Sequence, residues 1–158
     1  MKFSVLILTV GIPGAGKSTW VKNYIKQYPL TYVISTDEIR KELFGSSVCN
    51  PLQSEQVHDE ARKRVKNILD DPNSYDENHP LGPTIVVDST NCTAEEWQKY
   101  KRLGATLMAG KYFNVNPEEA MKHQITRKRI VPLDVLQQKW KKLQQDKIYF
   151  PCFFNIIF

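Results

Sequence analysis

The segment Gly-Ile-Pro-Gly-Ala-Gly-Lys-Ser at residues 11–18 constrains the fold more than any other part of the chain. It fits the pattern G-x-x-x-x-G-K-[ST] at every fixed position. The continuous apolar run at residues 5–10 before it is typical of a central strand buried on both faces. Apolar side chains at helical spacing follow it, from Trp20 to Tyr28. A strand, a glycine-rich loop and a helix in this order predict a phosphate-binding P-loop.

The residues of this loop have separate predicted tasks. The glycines let the backbone curl until several N–H groups point at phosphate oxygens, while Lys17 reaches the β- and γ-phosphates. The Ser18 hydroxyl is a predicted ligand of Mg²⁺. No asparagine is followed by lysine, so the guanine-reading motif N-K-x-D is missing and ATP is favoured over GTP. We therefore predict that ATP and Mg²⁺ are bound by Gly11, Pro13, Gly14, Ala15, Gly16, Lys17, Ser18 and Thr19.

Strand-like and helix-like segments alternate along the rest of the 158-residue chain. Further strands are predicted at residues 31–34, at 84–88, within 105–115 and at 153–158, and the prolines of residues 70–83 predict a surface loop there. The alternation predicts an α/β P-loop NTPase fold, with a doubly wound parallel sheet of about five strands, helices on both faces and a short arginine-rich lid. The length suits one domain over residues 1–158.

Composition excludes several classes of protein. The hydrophobic fraction of 41% and the charged fraction of 25% are ordinary for a globular domain. No apolar run approaches the roughly 20 residues that span a bilayer, and the N-terminus lacks the pattern of a signal peptide. The three cysteines stand in no metal-ligand pattern. These features predict a cytoplasmic protein with reduced thiols, no membrane association and no obligate protein partner.

Asp37 and Arg40 lie one turn apart at the predicted start of the helix after the second strand. In a parallel sheet this position opens onto the phosphate crevice. Ser35 and Glu38 fit a capping box, which leaves Asp37 to face the crevice. We predict Asp37 as the general base for a hydroxyl acceptor, and Arg40 as a contact to the acceptor or its neighbouring phosphate. The alternative is that Asp37 only caps the helix.

Two further groups of charged residues complete the predicted site. Asp88 ends a strand, where a carboxylate orders Mg²⁺ directly or through water, although it could equally begin a turn. Arg127 and Arg129 lie between two predicted helices, where a lid would place them on the transferring phosphoryl group. Their alternative is a solvated basic helix end. The net charge of +5 is compatible with a polyanionic partner.

Four segments together resemble the polynucleotide 5′-hydroxyl kinase family: residues 11–20, 36–40, 88–91 and 127–136. The resemblance implies that Lys17 and Ser18 contact the ATP phosphates and Mg²⁺. It also implies Asp37 as general base, Arg40 on the acceptor and Arg127 as the lid arginine. The lid is one residue shorter than in the phage enzyme of this family, so Arg129 competes with Arg127 for that role.

The leading expectation is a kinase that transfers the γ-phosphate of ATP to the 5′-hydroxyl of DNA or RNA, with a nucleic acid end as its partner. A first alternative is a kinase acting on the hydroxyl of a sugar, nucleoside or nucleotide-sugar. A second is a nucleotide-dependent switch without transfer chemistry. Trp20 and Tyr24 are predicted to be core residues rather than stacking platforms for a base.

Overall fold

Five parallel strands form the sheet of the computed structural model, which describes residues 2–127 and 130–158. The strands are β1 (Val5–Val10), β2 (Tyr32–Ser35), β3 (Thr84–Asp88), β4 (Leu107–Tyr112) and β5 (Ile156–Ile157). Their order across the sheet is β2-β3-β1-β4-β5, and each neighbouring pair is parallel. All carboxyl ends therefore lie at one edge, where ligands bind in sheets of this kind. The predicted α/β class with a parallel sheet is confirmed.

Helices cover both faces of the sheet, as predicted. They are α1 (Lys17–Gln27), α2 (Thr36–Phe44), α3 (Pro51–Asp70), α4 (Ala94–Lys101), α5 (Pro117–Gln124), α6 (Leu133–Asp146) and α7 (Phe150–Phe153). Side chains alternate along β1, so that Leu6 and Leu8 face the larger core and Ile7 faces a smaller one. Helices α2 to α7 pack on the larger core, whereas α1 covers the other face through Val21. None of the described helices is both long and apolar enough to cross a membrane.

Side-chain caps fix where several helices begin. At the start of α2 the Ser35 hydroxyl accepts a hydrogen bond from the Glu38 N–H at 3.4 Å. At the start of α4 the Thr93 hydroxyl accepts one from the Glu96 N–H at 3.2 Å, and Asn116 caps α5 in the same way. Each cap satisfies an N–H group that has no partner inside its helix. The predicted capping box of Ser35 and Glu38 is confirmed as the start of α2.

The predicted closing strand at residues 153–158 is confirmed in its second half, where Ile156–Ile157 pairs with β4 and the N–H groups of Asn155 and Phe158 donate to the Met108 and Gly110 carbonyl oxygens. Its start is corrected, because Phe150–Phe153 forms the short helix α7, which was not predicted. The reason is aromatic packing around the fully buried Trp97 of α4. The rings of Phe150 and Phe154 lie 4.9 and 5.5 Å from the Trp97 ring, centroid to centroid. An extended chain could not bring two rings four residues apart onto one indole, whereas a helical turn does.

The segment predicted as a surface loop at residues 70–83 contains ordered structure. Pro72–Tyr75 forms a 3₁₀ helix, and Ser74 within it is only 2% exposed. The Tyr75 hydroxyl donates a hydrogen bond to the Leu69 carbonyl oxygen at 3.1 Å, which ties the segment to the end of α3. The loop prediction holds for the ends of the segment and not for its centre.

Candidate active site

The glycine-rich loop lies between β1 and α1 at the carboxyl edge of the sheet. Gly14 and Gly16 have φ values of 85° and 95°, in the left-handed region that favours glycine. A Cβ atom on Gly14 would lie 2.5 Å from the Ala120 carbonyl oxygen, because α5 packs directly against the loop. No side chain of the described residues caps α1. The first N–H groups of α1 are therefore available to an anion.

One cleft of about 510 Å³ collects most of the predicted site. Its lining includes five of the predicted nucleotide-binding residues: Pro13, Gly14, Gly16, Lys17 and Ser18. Gly11 and Ala15 are buried within the loop, and Thr19 is exposed on α1 and does not line the cleft. The predicted catalytic and metal-binding residues that line it are Asp37, Arg40, Asp88 and Arg127. The predicted lid residue Arg129 lies outside the described residues, as does Lys128.

Lys17 is folded back onto its own loop. Its Nζ donates a hydrogen bond to the Ile12 carbonyl oxygen at 2.7 Å, and the residue is 8% exposed. Burial lowers the pKa of Lys17 to about 8, and the nearby Cys92 and Asp88 oppose that shift. A buried ammonium held only by a carbonyl group gains when anionic oxygens replace that partner. The loop is therefore suited to bind phosphate.

Ser18 and Asp88 form a pair beside the loop. The Ser18 hydroxyl donates a hydrogen bond to Asp88 Oδ2 at 3.0 Å. Burial raises the pKa of the Asp88 carboxyl group, while the bond from Ser18 and the charge of Lys17 act in the opposite direction. A hydroxyl and a carboxylate are oxygen ligands of the kind Mg²⁺ takes when phosphates and waters complete its shell. No group of three or more potential metal-binding side chains occurs in the described residues.

Thr9 and Asn91 hold the backbone that carries Asp88, and sequence reasoning assigned neither of them a role. The Thr9 hydroxyl donates hydrogen bonds to the carbonyl oxygens of Ser89 at 2.8 Å and Val87 at 3.1 Å. Asn91, which has a φ of 46°, donates from its side-chain amide to the Thr9 carbonyl oxygen at 2.8 Å. All of these groups are buried, so the bonds are shielded from water. The sequence feature that could have indicated this role is Thr9 itself, a single polar residue inside the apolar strand β1.

Asp37 and Arg40 form an ion pair on α2. Arg40 Nη1 donates to Asp37 Oδ1 at 2.9 Å, with the Arg40 side chain 6% exposed and the Asp37 side chain 60% exposed. Because Ser35 supplies the cap of α2, Asp37 is not needed for that purpose. The buried Arg40 Nε has no hydrogen-bond partner among the described residues. The exposed Asp37 carboxylate thus lines the cleft, while the Arg40 guanidinium that contacts it is buried.

The segment around Arg127 is attached to the loop on one side and to α6 on the other. The Gly14 carbonyl oxygen accepts a hydrogen bond from His123 Nδ1 at 2.8 Å. The fully buried Gln124 accepts one from the Val131 N–H at 2.9 Å, across residues 125–130. Arg127 itself is exposed at the cleft, and its charge lowers the pKa of Lys17. His123 and Gln124 were not predicted, because a helix face gives no sign of the loop packed on it.

A second side of the cleft was missed altogether by sequence reasoning. His58 of α3, Glu96 of α4 and Lys139 of α6 line it together with the site already described. Burial lowers the pKa of His58 to about 4, with the charges of Arg62 and Arg40 adding to the effect, so its imidazole is neutral at pH 7. In the sequence these three residues look like ordinary polar positions on three separate helices.

The parallel sheet and the glycine-rich loop between β1 and α1 define this chain as a P-loop domain of the α/β class. A family model described as "AAA domain" matches residues 6–146, which is most of the chain, and the chain belongs to that family.

Solved structures with the same fold include two of an RNA repair complex and one of a sugar kinase. A chain of the Pnkp1/Rnl/Hen1 RNA repair complex matches with a TM-score of 0.75 and 21% identity over 95% of this chain and 47% of that one. A second structure of that complex matches with a TM-score of 0.61 and 24% identity over 82% and 44%. A gluconokinase from Sinorhizobium meliloti 1021 matches with a TM-score of 0.59 and 14% identity over 90% and 76%. The chain thus spans less than half of the repair-complex chains.

Proposed function

We propose that residues 1–158 form one kinase domain that transfers the γ-phosphate of ATP to the 5′-hydroxyl of a polynucleotide. The observation that carries the proposal is the Asp37–Arg40 ion pair, 2.9 Å long, in the same cleft as Lys17 and Ser18. A phosphate cradle alone serves many activities. A carboxylate held by a buried guanidinium beside that cradle is what a hydroxyl acceptor requires.

Asp37 acts as the general base in this proposal. The hydroxyl oxygen of the acceptor attacks the γ-phosphorus, the bond from that phosphorus to the β–γ bridging oxygen breaks, and ADP leaves. The acceptor proton passes to the Asp37 carboxylate, a role that contributes about 10²–10⁴ to the rate. The ion pair with Arg40 keeps the carboxylate oriented before the proton arrives.

The remaining residues of the site stabilise negative charge. Lys17 exchanges the Ile12 carbonyl oxygen for phosphate oxygens, and Arg127 or Arg129 closes over the transferring group. Ser18 and Asp88 would hold Mg²⁺, which when bound neutralises charge on the phosphate oxygens. Closure of the lid also excludes water, which protects ATP from hydrolysis.

Support for a polynucleotide acceptor comes from three sources. The RNA repair complex gives a TM-score of 0.75, above the 0.59 of the gluconokinase. The D-x-x-R element at Asp37 and Arg40 and the basic lid are the segments that resemble polynucleotide 5′-hydroxyl kinases. The net charge of +5 favours a polyanion.

A small-molecule hydroxyl is the second candidate acceptor. It is favoured by the polar lining of the cleft near His58, Glu96 and Lys139, which would suit a sugar with several hydroxyl groups. The fold match to a gluconokinase points the same way. A nucleotide-dependent switch without transfer has no comparable observation behind it.

The test is transfer of label from γ-labelled ATP to matched acceptors. The acceptors are DNA and RNA oligonucleotides with a 5′-hydroxyl, the same oligonucleotides with a 5′-phosphate, and a panel of nucleosides and sugar acids. We expect label on the 5′-hydroxyl oligonucleotides and none on their 5′-phosphorylated forms. Label on small acceptors alone would overturn the polynucleotide proposal and leave the kinase class intact.

A further inference from the structure

Glu96 occupies an unusual position for a carboxylate. It lies in the first turn of α4, where its N–H group donates to the Thr93 hydroxyl, and it lines the cleft that contains Asp37. Its Oε2 atom is buried and accepts no hydrogen bond from any described residue. Burial raises the pKa of Glu96, whereas the charge of Lys139 and the Cys92 N–H favour its ionised form. Buried acceptors are almost always paired, so an unpaired one in a ligand cleft calls for a donor.

The neighbours of Glu96 do not supply that donor. The Tyr100 hydroxyl, one turn further along α4, is also buried and has no partner in the described part of the chain. Lys139 reaches no carboxylate within salt-bridge distance among the described residues, although it lines the same cleft. Arg40 is committed through Nη1 to Asp37. The cleft thus contains the Glu96 carboxylate and the basic groups of Lys139 and Arg40, with which a ligand could form hydrogen bonds.

The chemistry of the acceptor limits which ligand group can meet Glu96. A carboxylate needs an O–H or N–H donor. The phosphates of a polynucleotide have none, and a deoxyribose at a 5′ end has none besides the attacking 5′-hydroxyl. A ribose adds its 2′-hydroxyl, and carboxylates bind ribose hydroxyls in this way in nucleotide-binding folds.

The bases are a weaker alternative, because no Phe, Tyr or Trp side chain of the described residues lines the cleft. Single-stranded bases are commonly held by stacking on such rings. Trp20 and Tyr24 stack on each other instead, with centroids 4.9 Å apart, and pack against the smaller core. Both side chains are half-buried, so they pack at the margin of that core and are not fully buried members of it. A cleft without Phe, Tyr or Trp favours recognition of the sugar.

We propose that Glu96 determines acceptor specificity by accepting a hydrogen bond from the ribose 2′-hydroxyl of the terminal nucleotide, so that the enzyme favours RNA over DNA ends. This inference rests on the proposed function. Burial raises the pKa of Glu96, and the charge of Lys139 opposes that shift.

The test compares four oligonucleotides of one sequence that differ at the 5′-terminal sugar or throughout. They are all-RNA, all-DNA, DNA with one terminal ribonucleotide, and RNA with a terminal 2′-O-methyl group, which keeps the oxygen and removes the donor. We expect kcat/KM for the two acceptors with a terminal 2′-hydroxyl to exceed the other two by about tenfold, as for one hydrogen bond to a charged group. Equal values for all four would overturn the inference.

Variants separate recognition from a structural role. In Glu96→Ala we expect kcat/KM for the RNA acceptor to fall to that for the DNA acceptor. The value for DNA should stay within a few-fold of the wild type. Glu96→Gln keeps the shape of the side chain and removes its negative charge. Its kcat/KM for RNA should lie between those of the wild type and Glu96→Ala, and it replaces the alanine variant in this test if that variant does not fold. The matched control is Glu95→Gln, since Glu95 is exposed and pairs with Lys99. An equal loss on RNA and DNA would assign Glu96 a purely structural role, and failure to label any oligonucleotide would overturn the proposed function itself.

Discussion

The Ser18 hydroxyl and the Asp88 carboxylate are joined by a hydrogen bond of 3.0 Å although 70 residues separate them in the chain. Ser18 begins α1 after β1, and Asp88 ends β3, the neighbour of β1 in the sheet. Parallel pairing brings the ends of these two strands to one edge. The contact between the two proposed metal ligands is thus a consequence of the strand order.

Asp88→Asn should raise the Mg²⁺ concentration needed for half-maximal activity by about 10- to 100-fold, the range found when groups that hold a metal are altered. The amide keeps the shape and can still accept from Ser18, but it removes the negative charge. Titration of Mg²⁺ at saturating ATP measures the effect. Glu118→Gln, an acidic first-turn residue of α5, is the control and should leave the titration unchanged. An unchanged titration in Asp88→Asn would remove Asp88 from the metal site.

Asp37→Asn should reduce phosphoryl transfer by about 10²-fold or more, because an amide cannot accept the acceptor proton. ATP affinity should stay within a few-fold, since the loop residues are untouched. Single-turnover transfer and equilibrium ATP binding measure the two quantities separately. Glu38→Gln is the matched control, because Glu38 is the next residue and forms an exposed ion pair with Lys41. Retained turnover in Asp37→Asn would show that another group takes the proton.

Gly14→Ala should weaken ATP binding by about tenfold or more, as expected when packing next to a binding loop costs about 1.4 kcal/mol. The new Cβ would meet the Ala120 carbonyl oxygen at 2.5 Å and push α5 away from the loop. Gly104→Ala is the control, because Gly104 has nearly the same φ, 87°, and open space around it. Both variants lose about 1–2 kcal/mol of stability from left-handed strain. Equal ATP affinity in the two variants would rule out the contact with α5 as the cause.

His58 should make the protein less stable as the pH falls from 6.5 towards 4. Burial lowers the pKa of His58 to about 4, so between these values the unfolded chain binds a proton that the folded one does not. The free energy of unfolding therefore rises with pH across this window, by at most about 3 kcal/mol for this residue. Urea unfolding of the wild type and of His58→Gln at pH 4.5 and 7 measures the difference. Ser54→Ala, one turn earlier on α3, should keep the wild-type dependence, and an identical slope in His58→Gln would contradict the prediction.

Much of the fold was predictable because its signals are local. The loop at residues 11–18 is specified by glycines that must adopt left-handed backbone and by one lysine that follows them. The starts of α2, α4 and α5 are specified by caps that bond to an N–H group three residues away. Such bonds need no distant partner. Where distant packing mattered, as for α7 around Trp97, the helix was not predicted.

By itself the sequence determined that this chain holds a phosphate cradle between a buried strand and a helix, and it located Asp37 and Arg40 one turn apart. Only the tertiary structure decided that Arg40 is buried and paired with Asp37, and that Ser18 meets Asp88. It alone brought Glu96, His58 and Lys139 from three helices to one cleft. The physical reason is the separation along the chain over which each interaction acts. Hydrogen bonds within a turn follow from neighbouring residues, whereas burial and desolvation depend on every element packed around a group.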